Sequence, residues 1–262
     1  MQNIIKPIVF TKNLFWFEGS MSGHSKWSTI KRKKGANDVK RAKIFTKHIR
    51  ELTVAARMGG SDPSGNPRLR DALSEARAAN MTKDTIERAV KRGTGELDGA
   101  ASYEEVTYEG FGPGGVAVLI DSTTDNRTRT VADLRNLFSK NGGNLGESGC
   151  VGWLFERKGI ITVSGSSTTE EKLMEAALDL GADDVSSDEE DFEVFTAPFD
   201  LDQIKNGLEK KGFRVLRSEK AAIPKTTLKL EGEKAQTMLE LMEALEDHDD
   251  VQKVYTNFDM DL

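Results

Sequence analysis

Gly110-Phe111-Gly112-Pro113-Gly114-Gly115-Val116-Ala117-Val118-Leu119-Ile120 is the stretch on which the fold class turns. Its first six residues satisfy G-x-G-x-x-G, the spacing of a dinucleotide-binding turn. Such a turn works only when a helix comes at once, because the helix N-terminus holds the pyrophosphate. Here a five-residue apolar run suited to a buried strand comes instead. The stretch therefore reads as a glycine-rich turn leading into a strand. No Walker-type phosphate loop occurs elsewhere in the chain.

Working outward, Glu104 to Tyr108 is a strand candidate. Thr128 to Lys140 has helical spacing, with Val131, Leu134, Leu137 and Phe138 on one side. Beyond Trp153-Leu154-Phe155 the pattern predicts strand 160–163, helix 169–180 closed by Gly181, strands near 184–186 and 192–196, helix 201–211 ending at Gly212, and strand 213–218. The order β-α-β-β-α-β is ferredoxin-like. Strand 226–230, helix 233–246 and strand 251–256 remain. An isolated β-α-β cannot bury itself, so these elements are expected to complete the sheet begun at 104–120, with the ferredoxin-like unit inserted into that domain.

Toward the N-terminus, Ile44, Phe45, His48, Ile49, Leu52, Ala55 and Ala56 form one apolar stripe ending at Gly59-Gly60. Pro67 suits the first turn of a second helix with Leu69, Ala72, Leu73, Ala76 and Ala79 inward. Thr82 is the expected cap of a third, running through Ile86, Ala89 and Val90 to Gly93. The expected class is α+β and multidomain. Residues 1–20 read as a disordered upstream extension, 21–98 as a basic arm and helical bundle, 99–157 plus 223–262 as a central α+β domain, and 158–222 as the inserted ferredoxin-like domain. At about 150 residues per domain, a chain of 262 residues accommodates two or three.

Charge is divided unevenly. The whole chain carries a net −6, which by itself does not suggest nucleic acid. Residues 21–98, however, hold 18 Lys or Arg against 9 acids, and residues 99–262 hold 17 against 33. Between residues 21 and 50 there are ten bases and a single acid, Asp38. Solvation of helix faces accounts for residues 51–98, where eight bases meet eight acids. It does not account for the preceding run, whose unneutralised charge calls for an anionic partner. The candidate nucleic-acid contacts are Lys26, Trp27, Lys31, Arg32, Lys33, Lys34, Lys40, Arg41, Lys43, Lys47 and Arg50. Trp27 either stacks on a base or pins the arm to the bundle. Arg127 and Arg129, between a strand and a helix, are a second candidate for phosphate, the alternative being a capped turn. Nothing here reads a base sequence: the 59–67 connection is too long for a tight helix-turn-helix, and no RNP-type aromatic motif appears.

Other chemistries find little support. His24, His48 and His248 are the only histidines, and no two stand at metal-ligand spacing. Cys150 is the only cysteine, which excludes an intrachain disulfide and a cysteine cage. Gly146-Glu147-Ser148-Gly149-Cys150 resembles a nucleophile elbow but lacks its last glycine. The acidic groups at 188–191 and 246–250 read as solvated turns rather than cation sites. No apolar run approaches a membrane span. Neither catalytic residues nor a metal, cofactor or small-molecule substrate is expected; the partner is nucleic acid and the chain a monomer. Met1 to Phe17, broken by Lys6, Pro7 and Lys12, lacks signal-peptide features; a partner-binding segment built on Phe15, Trp16 and Phe17 is the alternative to an extension preceding Met21.

Gly23-His24-Ser25-Lys26-Trp27 resembles the opening of the YebC family, bacterial proteins described as probable transcriptional regulators with a mitochondrial relative that activates translation of cytochrome c oxidase. The likeness continues through Met58-Gly59-Gly60, Asp62-Pro63, Asn66-Pro67-Arg68-Leu69-Arg70, Tyr108 to Gly115, Thr124-Asp125-Asn126-Arg127, Asn141 to Gly149 and Phe155-Glu156-Arg157-Lys158-Gly159. It spans residues 21–262 and places the usual start at Met21. Thr128 stands where the family carries Asn. The resemblance implies three domains, a cytoplasmic location and no enzymatic activity. It also implies either of two functions: DNA-binding regulation of transcription, or binding to ribosomal RNA on the ribosome with an effect on translation of difficult, proline-rich sequences.

Overall fold

The computed structural model describes residues 38–97, 103–188 and 191–260. Three helices open it: α1 (Asp38–Gly59), α2 (Pro67–Ala78) and α3 (Lys83–Gly93). The α1–α2 connection is fastened by one buried side chain. Asn66 Oδ1 accepts from the Leu69 amide at 3.1 Å, capping α2, while its Nδ2 donates to the carbonyls of Ala55 (2.8 Å) and Gly60 (2.9 Å). Pro67 stands next, at the first helical position, where a missing N–H costs nothing. Thr82 caps α3 through the Thr85 amide. Leu52, Ala55, Ala56, Leu69, Ala72, Ala76, Met81, Ile86 and Ala89 form the bundle core. Ile44, expected in the apolar stripe, is exposed. At 1.5 Å per residue the 22-residue α1 outreaches the 12- and 11-residue helices packed on it.

The central sheet contains β1 (Glu104–Phe111), β2 (Ala117–Thr124), β3 (Asn144–Leu145) and β9 (Val251–Thr256), in the antiparallel order β3-β1-β2-β9. The turn between β1 and β2 is the glycine-rich stretch. Gly114 and Gly115 adopt φ +70° and +84°, a region that glycine enters without penalty, and the Gly112 amide donates to the Val116 carbonyl at 2.8 Å. Two helices, α4 (Arg127–Lys140) and α7 (Gly232–Glu246), cover one face of the sheet. Phe138, Leu134, Met238, Leu241 and Leu245 pack there on Val118, Ile120 and Val254.

The second sheet contains β4 (Phe155–Ser164), β5 (Asp184–Asp188), β6 (Asp191–Thr196) and β7 (Val215–Pro224), in the order β5-β6-β4-β7. Helices α5 (Glu170–Asp179) and α6 (Leu201–Lys210) share a core with it, built on Leu173, Ala177, Ile161, Val194, Ile204 and Leu208. Strands β4 and β7 run well beyond the segments 160–163 and 213–218 expected from apolar spacing, and pair from Phe155 opposite Pro224 onward. Charged residues hide this extension in the sequence. Arg157, one of them, forms a two-armed bridge to Asp121 (2.6 Å twice) and lies over the Tyr255 ring. A fourth core joins the sheets: Ala117, Leu119 and Tyr255 of the first meet Phe155, Ile160, Ala221 and Ala222 of the second. The 226–230 segment does not enter the central sheet. Its β8 (Leu228–Lys229) pairs in parallel with β10 (Phe258–Asp259), and β9 alone of the C-terminal strands joins β2.

Gly93 lets α3 approach α1. A methyl at that position would run into the Thr53 carbonyl oxygen and crowd Ala56. Gly93→Ala is expected to lower stability by about 1–3 kcal/mol, the usual result of overpacking. Chemical denaturation of the full chain measures this, and an unchanged midpoint would contradict the described packing.

Candidate nucleic-acid interface

Of the candidate contacts, Lys26, Trp27, Lys31, Arg32, Lys33 and Lys34 lie outside the described residues, as do the side chains of Lys40 and Arg41. Lys43, Lys47 and Arg50 stand at spacings of four and three, hence on one face of α1. That face meets the chain's own acidic turn at 246–250. Lys43 Nζ lies 3.4 Å from the Asp247 carboxylate. Lys47 Nζ donates to the Glu246 carbonyl at 2.6 Å. Glu246 is the last residue of α7, whose final turn carries no basic side chain of its own. Lys47 therefore supplies from α1 the cation that this negative helix end favours.

Arg50 reaches deepest. Its Nη1 donates to Asp250 Oδ1 (2.6 Å), to the Asp249 carbonyl (2.5 Å) and to the Thr123 carbonyl (3.2 Å), with the guanidinium 5.5 Å from the Tyr103 ring centroid. Asp250 is the common acceptor. Its side chain is 2% exposed, and it also takes bonds from Thr130 Oγ1 (2.6 Å), Arg129 Nη2 (3.1 Å) and Thr124 Oγ1 (3.2 Å). Burial alone would raise its pKa. The bonds from Thr130, Arg129 and Arg50 outweigh that and hold it at about 2. The 246–250 turn is thus a docking point for α1 rather than the solvated turn that its composition suggests. His248 supports the same turn: Nδ1 accepts the Asp250 amide at 3.1 Å, leaving Nε2 to donate toward Asp133.

The second candidate pair separates. Asn126 caps α4, its side chain accepting the Arg129 amide at 3.1 Å. Arg129 turns inward to Asp125 and Asp250. Arg127 points outward, 60% exposed and 3.7 Å from Glu104. Sequence reasoning missed Arg68, which bridges Glu51 on α1 and Glu105 on β1, and Arg57, which donates to the Tyr103 carbonyl. These contacts cross between elements far apart in the chain, so no local spacing signals them. It also missed Glu109. This buried carboxylate accepts the amides of Gly149 (2.8 Å), Val151 (2.7 Å) and Gly152 (2.6 Å) and organises the 146–152 loop. Burial opposes its ionisation, but the three amides overcome that and lower its pKa. Burial and the adjacent Glu109 charge push the Cys150 thiol up, the reverse of an activated nucleophile. Burial likewise lowers the pKa of His48, against the pull of Glu75 3.9 Å away. Among the described residues, no three His, Cys, Asp or Glu side chains are grouped to hold a metal ion, and no helix is long and apolar enough to cross a membrane.

Residues 25–96 match the model for the TACO1/YebC protein N-terminal domain, and residues 103–258 match that for the TACO1/YebC second and third domain. The chain belongs to the TACO1/YebC family. A protein of Desulfotalea psychrophila named probable transcriptional regulatory protein is 57% identical over 242 residues, covering 92% of this chain and 96% of the relative. One of the same name from Geobacter sulfurreducens is 58% identical over 240 residues, with the same coverage of each. The crystal structure of a conserved hypothetical protein of Aquifex aeolicus superposes with a TM-score of 0.76 at 48% identity, covering 85% of this chain and 91% of that one. This member shares with these relatives a likeness spread over most of its length.

The Asp250 network should show itself in the pH dependence of stability. Its folded pKa of about 2 lies below the ordinary 3.8. The resulting stabilisation is fully present above about pH 4 and is lost as pH falls toward 2. It corresponds to on the order of 2 kcal/mol. The stability gap between wild type and Asp250→Asn should therefore narrow by that amount between about pH 5 and pH 2, as measured by denaturant titration. A gap independent of pH would contradict the network.

Proposed function

We propose that this chain is a nucleic-acid-binding regulator of gene expression that grips phosphates through its basic N-terminal arm and bundle. DNA is the target suggested by the transcriptional names of its relatives. The observation that carries this reading is the charge of residues 21–50: ten bases against one acid in an otherwise acidic chain. In the described part of that run, Lys43 and Arg50 meet carboxylates and Lys47 a helix-end carbonyl, so these positions of α1 hold anionic and carbonyl groups of the kind a phosphate offers. Segment 26–34 holds five more cations without a neighbouring acid in sequence. Backbone contacts of this sort give affinity and salt dependence without base readout.

A second reading, ribosomal RNA bound on the ribosome with an effect on translation, draws support from the bundle itself. The 60–66 connection, pinned by Asn66 to α1, lacks the tight turn of a major-groove reader. Structured RNA is recognised largely by shape and phosphate, which requires no such element.

Replacing Lys31, Arg32, Lys33 and Lys34 together by Ala tests the phosphate grip. Nucleic-acid affinity should fall, and the slope of log K against log salt should flatten by about 3–4, the contribution of four phosphate contacts. Circular dichroism should remain that of the wild type. Unchanged affinity and slope would remove the arm from the interface and leave Lys43, Lys47 and Arg50 of α1, with Arg127, as the described candidates.

A further inference from the structure

The bundle is attached to the rest of the molecule unlike any other part. The two sheets share a continuous apolar core. Among the described residues, by contrast, no buried apolar cluster contains both bundle and central-domain side chains. The side-chain bonds between them include Lys43 to Asp247, Lys47 to the Glu246 carbonyl, Arg50 to Thr123, Asp249 and Asp250, Arg57 to the Tyr103 carbonyl, and Arg68 to Glu105. Three of these cations are candidate phosphate contacts. The groups facing them, carboxylates and the carbonyl end of a helix, carry the same sign of charge as a nucleic-acid backbone. The fit is also incomplete. Arg50 Nε is buried without a hydrogen-bond partner, although a guanidinium can present two parallel donors to one anion.

We propose that the 246–250 turn is an intramolecular stand-in for phosphate. It occupies the Lys43–Lys47–Arg50 face of α1 in the closed molecule and yields it to a nucleic-acid backbone, so that the bundle lifts from the central sheet on binding. The inference rests on the nucleic-acid reading above. Exchange of one set of anions for another leaves the number of charge pairs nearly unchanged. The desolvation cost of parting the buried Arg50–Asp250 pair is therefore offset on binding by the phosphates that take its place. Asp250 is not left bare by the exchange, because Arg129, Thr130 and Thr124 remain on it. The surface so exposed is a row of three cations continuous along α1 with the run that precedes it, and it suits a phosphate backbone rather than base edges. A nucleic-acid ligand thereby shifts an equilibrium between closed and open forms, and the acidic turn lowers the apparent affinity by the closed fraction.

The test uses the full chain in a Cys150→Ser background, with fluorophores on Ser74→Cys in α2 and Lys140→Cys at the end of α4, both exposed positions. Binding of a mixed-sequence DNA duplex, and separately of an RNA hairpin, is monitored by anisotropy while energy transfer reports the distance between labels. The expected result is binding accompanied by loss of transfer. Asp250→Asn should bind at least about fivefold more tightly, a typical allosteric coupling. Asp247→Asn, which touches only an exposed pair and leaves the buried network intact, keeps the test open should Asp250→Asn not fold; it should gain about two- to fivefold. Binding at constant transfer, with neither variant tighter, would overturn this proposal and leave the proposed function standing. No binding of either nucleic acid by the wild-type chain would overturn both.

Discussion

A carboxylate taken out of water must be given partners, and Asp250 draws its partners from three separate parts of the chain. Arg50 comes from α1, Thr124 from the end of β2, and Arg129 with Thr130 from the first turn of α4. Removing one partner of a buried ion pair costs more than the pair is worth, because the remaining charge stays desolvated. The position of α1, the start of α4 and the turn between α7 and β9 are consequently set together. The same residue closes the backbone, its carbonyl accepting the Thr123 amide at 2.8 Å.

The molecule thus contains two kinds of joint. Between the sheets, Ala117, Leu119, Tyr255, Phe155 and Ala222 exclude water, and their attraction scales with apolar area and is insensitive to salt. Between bundle and body, among the described residues, the side-chain bonds run from cations to carboxylates and carbonyls, with Arg50 over the Tyr103 ring. Exposed pairs such as Lys43–Asp247 weaken within a Debye length of about 8 Å at physiological ionic strength. One joint is built to persist and the other to respond to charge. A protein whose ligand is a polyanion has use for that difference, since the ligand itself is the strongest perturbation of its ionic surroundings.

Much of the architecture was legible because local rules and global packing agree. Pro67 and Thr82 are start signals that the structure uses as such, while the Asn66 cap beside Pro67 went unread, and helices 127–140, 201–210 and 232–246 lie within a residue or so of their periodic patterns. The glycine-rich stretch at 110–115 was readable through the apolar run at 116–120, since a strand cannot do the work of a helix N-terminus. Errors arose where charge conceals structure. Glu156-Arg157-Lys158 looks like loop, yet it is strand, because Arg157 finds Asp121 and the Tyr255 ring. Acidic residues 246–250 look solvated, yet Asp250 is among the most buried side chains. Only a three-dimensional neighbour distinguishes such residues from surface ones. For the same reason the sequence marked Lys43, Lys47 and Arg50 as anion-binding without indicating that the anion is part of the chain.

On the proposed reading, the cationic N-terminal third of this TACO1/YebC protein meets nucleic acid while the acidic remainder does not. Ultraviolet crosslinking in living cells, with sequencing of the attached DNA and RNA and mapping of the attached peptides, examines that division without intermediaries. Nucleotide adducts are expected on peptides from residues 24–50, with the sequenced partner, promoter DNA or ribosomal RNA, fixing which kind of regulator it is. Adducts confined to the 158–222 region, or none above background, would refute it.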